Sequence, residues 1–400
     1  MATHRGMVKI FSILLFLLAV VFSASAFSST TSSSNADRHL RIAVVGEGVI
    51  GLSTATAILD LAEDNGIPVS LEVFSDLEWE KTLSRGIAGL FRIDEGTHIN
   101  RLYGNETFMR LAKLFREVGG ESGVQLVSGH IISNDSAKLE KQVKNYADIV
   151  YNFRFLTKRE LNQLLVLSEE EFATNSAIHF TAYTAEGAHY CPYMKKQLEL
   201  RGVLFHRRHI NDLSELGATF DVVVNCAGLQ GGKLAGDDPG MYPIRGILLR
   251  TRAPWQKHFL YRDFGTLTIP TINYVYVGTV KQDYVTDTEA SDAEMEEIWN
   301  RYKAVQPAFG DSVTYDKKEA FVGFRPGRKS IRVGRYPRTY RSNDSNGTTK
   351  EFLVVHNYGH GGNGFTLGWG SSLHAARMAL SLPINHFTKA MMHDDIDRMD

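Results

Sequence analysis

The chain has 400 residues and is 43% hydrophobic, enough to bury a sizeable core and to hold two domains. Its 44 Lys and Arg balance 45 Asp and Glu, a formal net charge of -1, so it lacks the basic excess of a nucleic-acid binder. Two cysteines exclude a disulfide framework, and no metal site is expected.

At the N-terminus His4, Arg5 and Lys9 precede an apolar run from Ile10 to Phe22, and Ala24-Ser25-Ala26 supplies the small residues of a cleavage site. Residues 1–26 therefore read as a signal peptide. The apolar run is shorter than the roughly 20 residues of a spanning helix, which leaves an uncleaved anchor as the second reading. Residues 27–38, rich in Ser and Thr, read as a disordered linker.

The next stretch, RIAVVGEGVIGLSTA (41–55), carries chemistry. Ile42 to Val45 suits a buried parallel strand, and Gly46, Gly48 and Gly51 follow in G-x-G-x-x-G spacing. The first glycine makes the turn, the second admits a pyrophosphate, and the third packs helix on strand. The helix start, at Val49 and Ile50, then faces phosphate. Val69 to Phe74 reads as a second strand ending at Ser75 and Asp76. Asp76 is the candidate for the ribose hydroxyls, with Glu72 the weaker one. This motif alone does not separate NAD from FAD.

Farther on, Asp221 to Cys226 and Phe352 to His356 read as further buried strands, which suggests a nucleotide-binding domain assembled from separated parts of the chain. YPIRGILLRTRAPW and TINYVYVGTV alternate as antiparallel strands do. Ala290 to Val305 reads as a helix with Met295, Ile298, Trp299 and Tyr302 as its core face. Cys226 is expected to be a buried free thiol, although a bridge to Cys191 stays possible. Four N-x-S/T sequons, at Asn105, Asn134, Asn343 and Asn346, agree with export.

The Gly-rich turn together with VVHNYGHGGNGFTLGWGSSLHAA (354–376) resembles the D-amino-acid oxidase and D-aspartate oxidase family of flavoenzymes. IAGLF (87–91), VVNCAGLQGGKLAGD (223–237), PIRG (243–246), APWQKHF (253–259) and VGFRPGRKSIRV (322–333) extend the likeness over nearly everything after Arg41. The resemblance implies an α/β fold: a doubly wound FAD-binding domain with a mostly antiparallel α+β substrate domain. The first would comprise 39–96, 184–240 and 320–385, the second 97–183 and 241–319. It implies FAD as cofactor and oxidation of a D-amino acid to an imino acid, which water converts to 2-oxo acid and ammonia while O2 becomes H2O2.

Carried over residue by residue, the resemblance puts Arg325 on the substrate carboxylate, a task that suits a planar, permanently charged fork. It puts Gly362 in the substrate pocket. Gly361, Gly364, Phe365, Thr366, Thr82, Ser84, Ala88, Gly89 and Leu90 match flavin contacts, and Ile210 matches a backbone contact to the adenine half. His360 reads as structural or flavin-adjacent, because hydride transfer needs positioning more than a base.

Three departures stand out. Leu267 occupies a position where close relatives carry a tyrosine that helps bind the carboxylate, and Tyr261 or Tyr274 is the candidate to compensate. Asn363 stands where an aromatic is common. The C-terminus, Asp397 to Asp400, lacks an S-K-L address. The tract 223–246 looks closer to D-aspartate oxidase, and Arg92 and Arg262 are the candidate cations for a distal carboxylate. The expected protein is thus a secreted oxidase of acidic D-amino acids with no stable membrane association after cleavage, its oligomeric state left open. A neutral D-amino-acid oxidase, a glycine or N-methyl amino acid oxidase and a silent flavin binder are the alternatives.

Overall fold

Ile42, Ala43 and Val44 have no exposed surface, as a strand flanked by strands and covered on both faces requires. In the computed structural model, which describes residues 39–164, 167–307, 313–341, 347 and 349–397, they lie inside a six-stranded sheet. The expected signal peptide and linker, the sequons at Asn343 and Asn346, and residues 398–400 lie outside the described residues. Edge to edge, the sheet runs Arg332–Arg341, Thr349–Tyr358, Val222–Asn225, Leu40–Val45, Val69–Ser75 and Leu204–Arg207. Every neighbouring pair is parallel except the first, so the Gly-rich turn emerges at the carboxyl end of a central strand.

A second, nine-stranded sheet is mostly antiparallel. Its path is Gln282–Asp283, Tyr242–Thr251, Val275–Gly278, Thr266–Pro270, His258–Arg262, Val124–Ser133, Ser176–Ala185 and Tyr151–Phe155. The ninth strand, Phe321–Gly327, pairs with Tyr242–Thr251 and sets Arg325 opposite Ile244. This corrects the expected boundary at 320: the strand carrying Arg325 belongs to the second sheet, because seven consecutive pairings tie it there. The fold is the expected α/β architecture of a doubly wound sheet joined to an antiparallel one.

The helix Val49–Asp64 lies beside Gly364–Ala379, and small residues make the approach possible. A Cβ on Gly368 would sit 2.9 Å from the Ile50 side chain, and on the other side one on Gly370 would sit 2.3 Å from the Tyr103 backbone in the helix His98–Glu117. Buried hydroxyls of the two helices bond each other and the Asn357 amide nitrogen. Thr54 Oγ1 lies 2.9 Å from Ser372 Oγ and accepts from Asn357 Nδ2 at 3.1 Å. On the second sheet, Ser291 and Glu294 form a capping box that starts the helix Asp292–Val305. Its Met295, Ile298, Trp299 and Tyr302 pack on Ile247, Leu249, Val275 and Val277, as expected of a core face. Cys191 and Cys226 are buried free thiols, and burial raises the Cys226 pKa to about 12.

Three buried histidines make the fold sensitive to acid. Burial lowers His360 to about 3 and His356 and His374 to about 4, all from an ordinary 6.5. Each is therefore neutral in the folded chain, whereas the unfolded chain binds the proton. The stability they contribute is fully present above about pH 6.5 and is lost as pH falls toward their folded values, at up to about 1.4 kcal/mol per pH unit for each. Urea unfolding is expected to show a markedly lower midpoint at pH 5 than at pH 7; equal midpoints would contradict buried, neutral imidazoles.

Candidate active site

The two Gly-rich segments meet where the helices Val49–Asp64 and Gly364–Ala379 begin. Neither N-cap residue, Gly48 or Asn363, caps its helix with its side chain, and a Cβ on Gly364 would lie 3.7 Å from Val49 Cγ1, so the electropositive helix ends are neighbours. Around them the backbone comes too close for any side chain. Gly46 has φ +115°, and a Cβ there would lie 2.4 Å from the Cys226 carbonyl oxygen; on Gly51 it would lie 1.8 Å from that of Gly46. Gly89, at φ +68°, would clash with the Ala185 oxygen at 2.1 Å. The result is a glycine-lined cradle at two helix N-termini, suited to an extended anionic cofactor.

The other expected cofactor residues surround this cradle. Ser84 Oγ accepts the Val49 amide at 3.0 Å, while Thr82 bonds the Trp79 carbonyl at 2.8 Å. Ala88 and Leu90 are buried on either side of Gly89. Phe365 covers Gly89 and Gly187, and Thr366 Oγ1 accepts the Arg92 amide at 3.4 Å. Gly361, at φ +54°, opens onto free space. At the end of Val69–Ser75, Asp76 is half-exposed and paired with His209 at 2.7 Å, and Ser75 Oγ accepts from Arg207. Ile210 is buried against Val45 and Phe74. Glu72 faces His206 instead, at 2.6 Å.

Sequence reasoning missed Glu47, the residue between the first two glycines. It is 5% exposed and held by Lys195 at 2.6 Å and Arg207 at 3.4 Å. A charge between two glycines was the available signal. His360 is buried on Ser371 Oγ at 2.8 Å, and burial lowers its pKa to about 3, which suits a structural histidine and makes it a weak proton acceptor.

A polar cluster stands beside the second Gly-rich segment. The Arg325 guanidinium lies flat over Gly246, where a Cβ would meet it at 2.4–2.6 Å. Its hydrogen-bond partners are the Arg245 carbonyl at 3.5 Å and Thr279 Oγ1 at 3.3 Å, and among the described residues it has no carboxylate at ion-pair distance. Burial lowers its pKa, while Asp94 and Tyr261 act in the opposite direction. A Cβ on Gly362 would lie 3.5 Å from Asp94 Oδ2 and 3.8 Å from Arg325 Cδ, so Gly362 keeps the space between them open.

Arg92 enters the same cluster, but paired. Its Nη2 contacts Asp94 Oδ1, its Nη1 donates to Gln142 at 3.3 Å, and its guanidinium lies 5.7 and 5.6 Å from the Tyr261 and Phe264 rings. Burial opposes its charge, yet Asp94 raises its pKa above the ordinary value. Arg262 does not join the cluster. Adjacent strand residues point to opposite faces, so with Tyr261 turned toward Arg92, Arg262 faces away and pairs with Glu171 at 3.0 Å and Asp263 at 3.4 Å. That placement corrects its expected pocket role.

Leu267 is buried and sits directly across from Tyr261 in the strand register, so the two share a face. Tyr261 is therefore the tyrosine beside the arginines, and both Arg92 and Arg325 act on its phenol electrostatically. Tyr274 is instead covered by Arg250 and Arg252. Asp94, Lys281 and Asn363 complete the cluster: Asn363 Nδ2 donates to Asp94 Oδ2 at 2.7 Å, and Lys281, exposed, adds its field to Asp94. Asn363 had shown itself as a departure; nothing in the sequence singled out Asp94 or Lys281.

A glycine cradle at paired helix starts, joined to a half-buried arginine with no carboxylate at ion-pair distance among the described residues, fits an FAD-dependent oxidoreductase. Residues 41–378 match the model of the DAO family, described as FAD dependent oxidoreductase, and the chain belongs to that family. It is 46% identical over 343 residues to "D-aspartate oxidase 1" of Caenorhabditis elegans, a match covering 85% of this chain and 97% of that protein. It is 34% identical over 347 residues to "D-aspartate oxidase" of Homo sapiens, covering 84% and 94%. Among solved structures, glycine oxidase from Bacillus cereus ATCC 14579 superposes with a TM-score of 0.66 at 16% identity, over 88% of this chain and 98% of that one, and shares the fold.

Proposed function

We propose that this protein oxidises acidic D-amino acids, D-aspartate and D-glutamate, to the 2-oxo acid, ammonia and H2O2. The observation that carries this reading is the charge around Gly362. Arg325, Arg92 and Lys281 face one carboxylate, Asp94, which leaves two positive charges in excess. A substrate with a second carboxylate offsets them, whereas an alanine or methionine side chain leaves a cation unpaired. The names of the relatives agree with this choice.

The Gly46–Gly51 turn and the Gly361–Thr366 segment would hold FAD, which would supply a hydride acceptor for the α-carbon and a route for the electrons to O2. Everything else falls to this chain. Arg325 takes the α-carboxylate in a two-pronged grip and, being anchored on Thr279 and the Arg245 carbonyl, fixes the α-carbon in place. Tyr261 supplies a hydroxyl on the face that Leu267 leaves without one. Gly362 gives the substrate room. Arg92 and Lys281 meet the distal carboxylate, Arg92 as a cation already shared with Asp94.

Steady-state H2O2 production across D-Asp, D-Glu, D-Ala and D-Met is expected to favour the first two, and Arg92→Ala is expected to shrink the preference. If the wild type favours D-Ala or D-Met, the acidic reading fails and the oxidase class stands. If D-Asp is preferred but Arg92→Ala leaves the preference intact, Arg92 is the wrong residue.

The N-terminal pattern supports export as a further part of this proposal. Asn134 is exposed just after the strand Val124–Ser133, a suitable glycan acceptor; Asn105 is exposed within the helix His98–Glu117, where Thr107 is buried. Protein collected from the medium should begin near Phe27 and lose mass on glycosidase treatment. Retention inside the cell with Met1 intact would contradict export.

A further inference from the structure

Asp94 is a carboxylate in a site otherwise built for carboxylates, and its placement is deliberate. Asn145 Nδ2 holds the Ile93 and Asp94 carbonyls at 3.1 and 2.9 Å. Asn363 grips the residue twice, accepting the Asp94 amide at 3.1 Å and donating to Oδ2 at 2.7 Å. Oδ1 meets Arg92. These contacts fix the side chain in one orientation. A carboxylate has about four acceptor directions, and its side-chain partners among the described residues, Arg92 and Asn363, leave acceptor capacity over.

That capacity faces ligand space. The Asp94 side chain is 38% exposed, twice the 19% of Arg92, and Oδ2 is the nearest atom to a Cβ built on Gly362, with Arg325 next. A ligand whose carboxylate is held by Arg325 beside Gly362 therefore presents its neighbouring substituent to Asp94. In an α-amino acid the α-carbon beside that carboxylate carries the ammonium group, the one cationic group of the ligand and so the one a carboxylate attracts. Asp94 is ready to receive it: although burial works against its charge, Arg92, Asn363 and Lys281 keep its pKa below the ordinary value.

We propose that Asp94 binds the substrate ammonium, and that this contact lets the site choose an acidic amino acid over an amine-free dicarboxylate of the same length. The inference rests on the reading that Arg325 takes the substrate α-carboxylate. Without Asp94 the cluster of cations would hold any small dicarboxylate, and such compounds would occupy the site. With it, the three charged groups of D-aspartate meet three complementary ones, whereas succinate places a C–H against a carboxylate. Asp94 thus trades anion affinity for recognition of the amine.

The test compares two ligands in the FAD-loaded enzyme: the KM for D-aspartate and the Kd of succinate, the latter read from its perturbation of flavin absorbance. The informative quantity is their ratio. In Asp94→Asn the preference for D-aspartate over succinate is expected to fall about 10- to 100-fold, the range of one charge-assisted hydrogen bond. Asp94→Glu, which keeps the carboxylate, is expected to preserve most of it and guards against a variant that does not fold. If Asp94 served only to neutralise Arg92, both ligands would tighten together in Asp94→Asn; an unchanged ratio overturns the proposal. Wild-type enzyme that turns over no D-aspartate would overturn the substrate reading and this inference together, whereas normal turnover with an unchanged ratio overturns only the role of Asp94.

Discussion

Arg325→Ala is expected to lower kcat/KM for D-aspartate by about 2–5 kcal/mol of transition-state binding, roughly 30- to 5,000-fold, while FAD stays bound. The size follows from where the guanidinium lies. It is half-buried over Gly246, has no carboxylate of its own chain at ion-pair distance among the described residues, and is held by two oxygen acceptors. A partly buried cation without a counter-ion is costly to keep, and a carboxylate ligand removes that cost. Arg325→Lys should also be impaired, because a point charge on a flexible stem cannot reproduce the two parallel hydrogen bonds. The flavin spectrum reports whether the cradle is intact, since Arg325 touches none of its glycines closely except across Gly362. Near-normal kcat/KM in either variant would remove the carboxylate role.

The second large effect is expected at Gly51. A Cβ there falls 1.8 Å from the Gly46 carbonyl oxygen, and the obstacle is backbone rather than a side chain that can swing away. Gly51→Val must push the helix Val49–Asp64 off the strand Leu40–Val45, a displacement that costs about 3 kcal/mol or more and moves the helix start out of the cofactor cradle. Purified Gly51→Val is expected to be colourless, or too unstable to purify, while wild type releases flavin on acid precipitation. Gly120→Ala serves as the control, because its Cβ would meet only the tip of Ile272 at 4.0 Å. A yellow, stable Gly51→Val would show that the third glycine is not needed for helix packing.

These two residues also mark what a sequence can reveal. Gly51 was legible because its demand is local: five residues along the chain, the turn brings its Cα against the carbonyl of Gly46, and spacing alone records that. The same holds for the core face of Asp292–Val305, where one helical period fixes four side chains. Arg325 was legible through its motif, but its sheet was not. Pairing with Tyr242–Leu248 joins residues some eighty positions apart, and nothing in GFRP states a partner.

Arg262 failed for a sharper reason. Matching it to a pocket position required a shift of one residue, and in a strand one residue reverses the face. Tyr261 faces Arg92 while Arg262 reaches Glu171 on the other side. Arg92 was singled out as a cation, yet its pairing with Asp94 was invisible, since two residues apart in a loop says nothing of whether side chains meet. Asp94, Lys281 and Asn363 come together only through tertiary structure, from three separate segments. Leu267 read as a loss, and the register places a tyrosine directly across from it.

The central claim is that this chain couples FAD to the oxidation of acidic D-amino acids, and anaerobic reduction of the bound flavin tests it without depending on O2 or on later steps. The yellow holoenzyme, mixed with D-aspartate in the absence of oxygen, is expected to bleach fully; with D-alanine it should bleach far more slowly, and with L-aspartate not at all. Bleaching by D-alanine as fast as by D-aspartate would contradict the substrate assignment. A flavin that stays oxidised with every D-amino acid would contradict the account as a whole.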